Sequence, residues 1–205
     1  MAVKNIQSIN FTKIEIRIVK HLFKYYKDKY NARQLAKILD INHAHANKLC
    51  NLLVGKGILL KEEMGNAVYF SFNHGNEYAL KFMVYLFSLE EKEFPRWLTV
   101  LLHKLKEFSP HIKLGLVFGS SIKNKEFRDV DVLLMYDPGK SITIRKIKEG
   151  IRKSQLIEQP IRYVDISEKD ILSNKDDKVF YAILSDNLIF CSPEKYVEVI
   201  RKCRR

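Results

Sequence analysis

The stretch VFGSSIKNKEFRDVDVLLMYD, residues 117–137, sets Gly119-Ser120-Ser121 after one apolar run and puts Asp129 and Asp131 at the mouth of the next. Strands favour branched and aromatic residues and are poor in Gly and Asp, so these residues run against the elements that would carry them. In a strand, Asp129 and Asp131 are two apart and leave the same face. Two carboxylates that close repel each other unless a cation lies between them. A hard divalent ion such as Mg²⁺ or Mn²⁺ meets that need, because it takes oxygen ligands and commonly shares one or two carboxylates with substrate phosphates. Gly119 lets backbone approach a phosphate closely, and Ser120 and Ser121 at a helix start would offer hydroxyls and N–H groups to the anion. Arg128, Lys123 and Lys125 are further phosphate candidates, although the two lysines read equally well as a solvated basic loop.

Three apolar runs must position these groups: KLGLVF before the Gly-Ser turn, DVDVLLMY after it, and PIRYVDI, which ends near Asp165. Gly-Ser, a spacer of eight residues (SIKNKEFR) and Asp-x-Asp on the next strand resemble the signature of the nucleotidyltransferase superfamily, in particular its minimal branch. The resemblance runs from about Lys113 to Cys191 and includes the tail DDKVFYAILSDNLIFCSPEKYVEVIRK, read as helix, short strand and last helix. It implies an α/β domain over residues 111–205, with a mixed sheet flanked by helices. It also implies a third carboxylate at Asp165, metal held by Asp129, Asp131 and Asp165, and nucleotide held by Gly119, Ser120 and Ser121; Arg128, where the family commonly has a small polar residue, is a nucleotide-binding candidate by its charge alone. The implied reaction is transfer of a nucleotidyl group, AMP from ATP, to an acceptor hydroxyl. Relatives of the minimal branch often act as antitoxins that modify a HEPN-type toxin, so a partner protein is one implied acceptor.

The first third carries a different pattern. From Thr12, apolar residues at Ile14, Ile18, Leu22 and Tyr25/Tyr26 have helical spacing. Asn31 can cap a second helix, ARQLAKIL, with a stripe of Leu35, Ile38 and Leu39, and Asn42 can cap a third, HAHANKLCNLLVGKG. Two short strands follow, ILLKEE and AVYFSF, joined at Met64-Gly65-Asn66, where Gly and Asn tolerate a hairpin turn. RQLAKILDINHAHANKLCNLLVGKGIL resembles the winged helix-turn-helix regulators, which implies a winged helix of three helices plus a β-hairpin over residues 1–74. In such modules the third helix enters the major groove of double-stranded DNA. Its reading face here would show His43, Asn47, Lys48 and Asn51, with Lys61 of the wing near the backbone. Asn can pair with adenine edges and Lys with guanine or phosphate. No arginine lies between Arg33 and Arg96, so the commonest base-specific contact is absent from this stretch.

The whole chain has 205 residues and a formal net charge of +12, which favours a polyanionic partner. Residues 1–74 hold 12 Lys/Arg against 5 Asp/Glu, residues 75–110 balance at 5 against 5, and residues 111–205 hold 19 against 14. The most basic third is thus the one that resembles a DNA-binding module. Residues 75–110 read as two helices whose Leu80, Met83, Val84, Leu86 and Phe87 require burial, either in a connector between domains or in a homodimer interface. Cys50, Cys191 and Cys203 lie far apart and read as ordinary thiols. The N-terminus lacks the apolar centre of a signal peptide and no run approaches a membrane span, so the expectation is a cytoplasmic protein of α+β class. Two functions stay open: a metal-dependent nucleotidyltransferase with a DNA-binding module, or a transcription regulator whose transferase-like domain is inactive and senses nucleotide or dimerises.

Overall fold

The computed structural model describes residues 11–124 and 126–204. The chain is mixed α and β with two separate sheets, and it divides into two compact units, Met1–Ala79 and Leu80–Arg205.

In the first unit, α1 (Lys13–Lys24) opens on a capping box. Thr12 Oγ1 accepts from the Glu15 N–H at 3.2 Å, while the Glu15 carboxylate accepts from the Thr12 N–H at 2.8 Å. Glu15 is buried and also receives Lys56 Nζ at 2.9 Å. Burial alone would raise its pKa, but the hydrogen bonds from Thr12 and Lys56 outweigh that and hold it below the ordinary value. After β1 (Tyr30–Asn31), a second capping box of Asn31 and Gln34 starts α2 (Ala32–Leu39). Its buried face is Ala32, Leu35, Ala36 and Leu39; Ile38 is 46% exposed, off the stripe to which its apolar character assigned it. Asn42 caps α3 (His43–Gly55) by accepting from the N–H groups of Ala44 and His45. Ala46, Leu49, Cys50 and Leu53 turn inward, as the spacing requires. Strands β2 (Leu59–Met64) and β3 (Ala67–Phe72) form an antiparallel hairpin, with Gly65 at φ 59° in the turn. The sheet has a third strand, in the order β1-β3-β2; two residues are too few for periodicity to reveal β1.

The second unit begins inside α4 (Glu77–Ser88) and continues through α5 (Arg96–Leu105), β4 (Leu114–Phe118) and β5 (Val130–Met135). It then runs through α6 (Ser141–Ser154), β6 (Ile161–Ile166), α7 (Glu168–Ser173), α8 (Lys178–Ser185), β7 (Asn187–Cys191) and α9 (Pro193–Cys203). The sheet order is β6-β5-β4-β7; β6 lies parallel to β5 by way of the α6 crossover, and the other pairs are antiparallel. Val117, Val130, Val132 and Leu134 form one face and pack with Leu98, Leu101, Leu102 and Leu105 of α5 and Ile144 and Ile151 of α6. Leu114, Leu116, Leu133 and Met135 alternate to the other face and are equally buried, and α9 packs against β4 and β7. Helix α5, expected as part of a connector, is therefore core to this sheet. Phe87 is fully buried, its ring edge-on to Tyr196 of α9 at 5.2 Å, with no second subunit present. Among the described residues no helix is long and apolar enough to cross a membrane.

Candidate functional site

Asp131 is the second residue of β5, and Asp129 directly precedes the strand. Gly119 adopts φ 81° and ψ −155°, a backbone region open essentially only to glycine. A side chain there is also barred by space, because a Cβ would come within 2.2 Å of Asp131 Oδ2. The Gly-Ser turn and the Asp131 carboxylate are therefore packed together. Burial first, and the neighbouring Asp129 charge second, push the Asp131 carboxyl above its ordinary value, while Arg162 pulls the other way.

The third acid is elsewhere. In the parallel pair, Asp131 is level with Arg162, and Asp165 is level with Leu134. Paired residues share a face, so Asp165 points to the opposite side of the sheet from Asp131 and lies roughly 10 Å further along, at about 3.3 Å per residue. There it accepts two hydrogen bonds from Lys148 Nζ on α6, both 2.6 Å, and is partnered by Tyr136. The expected triad of Asp129, Asp131 and Asp165 is not assembled. The residue that joins the two acids is Arg162, whose Nε lies 3.0 Å from Asp129 Oδ2. Among the described residues no group of three or more His, Cys, Asp or Glu is placed to hold a metal ion. The Arg162 guanidinium thus stands beside the two carboxylates, where the expectation puts a cation. No local signal gives that pairing, because the register of β5 with β6 is set by the fold.

The phosphate-side expectations are altered too. Ser120 and Ser121 begin a 3₁₀ turn of three residues, Ser120–Ile122, not a helix, so few aligned peptides stand behind their N–H groups. Ser121 is buried and its hydroxyl donates to the Phe118 carbonyl at 3.3 Å, leaving Ser120 as the exposed hydroxyl. Arg128 is exposed. Lys123 is engaged with Asp186 at 2.8 Å, and Lys125 lies outside the described residues.

On the first unit, His43, Asn47, Lys48 and Asn51 are all exposed along α3, and Lys61 is exposed on β2. Asn51 Nδ2 donates to the Asn47 carbonyl at 2.8 Å and to its Oδ1 at 3.3 Å, which ties the two amides into one surface. The helix is held from behind by buried Ala46, Leu49, Cys50 and Leu53, so the polar stripe rests on a fixed base. The Cys50 thiol, pushed up to about 12 by burial, belongs to that base and not to a reactive site. Comparison with protein-family models, with curated proteins and with solved structures returns no match.

Proposed function

We infer that this protein is a winged-helix DNA-binding regulator whose second unit has the layout of a nucleotidyltransferase domain without its catalytic metal triad. The observation that carries this reading is the exposed stripe of His43, Asn47, Lys48 and Asn51 on a helix whose other face is buried. The local sequence builds that stripe: Asn42 starts the helix, and the apolar residues fix which side faces out. The excess of positive charge in residues 1–74 supports the same reading through counterion release. Asn47 and Asn51 are the base-reading side chains, and Lys48 and Lys61 contact phosphates.

The test is duplex binding by fluorescence anisotropy over a salt series. Wild type binds at about 50 mM salt, where phosphate contacts are strongest, and Lys48→Ala weakens binding and lowers the log–log salt slope by roughly 0.9. Asn47→Ala leaves the slope and relaxes the preference among sequences. Absence of duplex binding by the wild type at that salt would make the first unit a docking module.

One observation supports the catalytic reading: Gly119, in a backbone region open essentially only to glycine, packs against Asp131, so the Gly-Ser turn lies beside the acids. Under that reading the chain transfers AMP from ATP to an acceptor hydroxyl, on a partner protein such as a toxin, and dimerises through its second unit. Incubation with labelled ATP, Mg²⁺ and the candidate acceptor decides it. Label transfer by wild type that is lost in Asp129→Asn/Asp131→Asn establishes the enzyme and overturns the inactive domain.

A further inference from the structure

The second unit contains a cavity of about 480 Å³ on the side of the sheet away from Asp131. It is bounded by α5, α6, the 155–160 loop and the start of β6. Its apolar walls come from Leu101, Ile151, Ile157, Ile161 and the ring of Tyr163. A volume in this range, with apolar walls and a few polar groups, is the form of a small-molecule site.

The polar groups are not evenly spread. Arg145, Lys148 and Arg152 of α6 all line the cavity. At 3.6 residues per turn they fall within an arc of roughly 60°, beside the buried stripe of Ile144 and Ile151; Glu149, which also lines the cavity, lies roughly 40° beyond that arc. Lys148 is held at the inner end by Asp165 at 2.6 Å, with its ammonium 4.7 Å from the centre of the Tyr163 ring. Arg145 and Arg152 are exposed and have no ion-pair partner among the described residues. The Tyr163 hydroxyl is buried without a hydrogen-bond partner, a costly state for a donor. Burial and the nearby Asp165 charge raise its pKa, so it stays protonated and able to donate.

We propose that this cavity binds a small organic monoanion with an apolar body: the body lies against Leu101, Ile157 and Tyr163, and the anionic group is taken by Arg145 and Arg152. Glu158 lines the cavity from the loop, and with Glu149 it disfavours a second negative charge on the ligand. The proposal is independent of the DNA-binding reading, since every residue in it belongs to the second unit.

Three probes with one ring system and different charge test it: 2-naphthoate, 2-naphthol and 2-naphthylmethylamine, titrated by fluorescence against the full chain. The expected order is naphthoate tightest. Arg145→Ala/Arg152→Ala should lower naphthoate affinity at least about tenfold, the scale of hydrogen bonds to charged groups, and leave naphthol unchanged. Ile157→Asp should weaken both. The double variant alters only exposed side chains, so it decides the matter even if Ile157→Asp fails to fold. Equal binding of naphthoate and naphthol by wild type, tighter binding of the amine, no binding at all, or an unchanged naphthoate affinity in the double variant would each overturn the proposal.

Discussion

At the scale of single residues, a guanidinium 3.0 Å from Asp129 supplies the countercharge that two adjacent carboxylates need. The pair is largely exposed on the arginine side, so its contribution to stability is small, and its consequence is electrostatic. Arg162→Ala removes the cation and leaves Asp129 and Asp131 facing each other. Mn²⁺ should then bind several-fold more tightly than to wild type, as read by calorimetry; equal affinity would show that the guanidinium does not fill the cation's role. Glu168 presents the opposite case. Hydrogen bonds from Lys202 and then Lys195 hold its carboxyl down to about 2, from an ordinary value of 4.5. A folded-state pKa below the unfolded one gives stability that is present above the unfolded value and lost as pH falls through the folded one. Thermal melts should therefore fall between about pH 4.5 and 2. Glu168→Gln should flatten that part of the profile, and an unchanged slope would show that these contacts do not persist in solution.

At the scale of elements, strand register decides more than strand identity. All three strands expected around the acids are present, yet the one-for-one pairing of β5 with β6 brings Arg162 to Asp131 and sends Asp165 to the α6 side. A shift of one residue would have exchanged the faces, which is why register cannot be read from apolar content alone. Gly115 shows the same dependence in β4. The ring of Phe190 lies so close that a Cβ on Gly115 would come within 2.3 Å of it, and the β4–β7 pairing is irregular at this point. Gly115→Ala should cost roughly 1–3 kcal/mol through overpacking. In a Phe190→Leu background the same change should cost less, because the two residues share one contact. Denaturant melts of the four proteins measure that coupling, and additive losses would place the strain elsewhere.

At the scale of the whole molecule, the chain is two compact units, and α5, read as part of a connector, contributes to the second one's core. Phe87 is the residue that tests this. It is fully buried against Tyr196 with no second subunit present. Removing a buried Phe typically costs about 3–5 kcal/mol, and a buried unpaired charge adds to that. Phe87→Asp should therefore lower the melting temperature sharply at every protein concentration. A dimer interface would instead give a fall in mass by light scattering with the melt of the separated chain retained.

Much of this protein is determined locally and so is legible in the residues themselves. Helix starts follow from Thr12, Asn31 and Asn42 because a cap acts within three residues of itself. The inward face of α3 follows from spacing, and the hairpin from the glycine at its turn. Asp129 and Asp131 share a face because alternation is a property of one strand. What joins strands distant in sequence is decided by packing. Residues 131 and 162 become neighbours only when α6 carries the chain over the sheet and the apolar faces set the register. The resemblance implies Asp165 as the third ligand, whereas the tertiary fold places Arg162 beside the two acids.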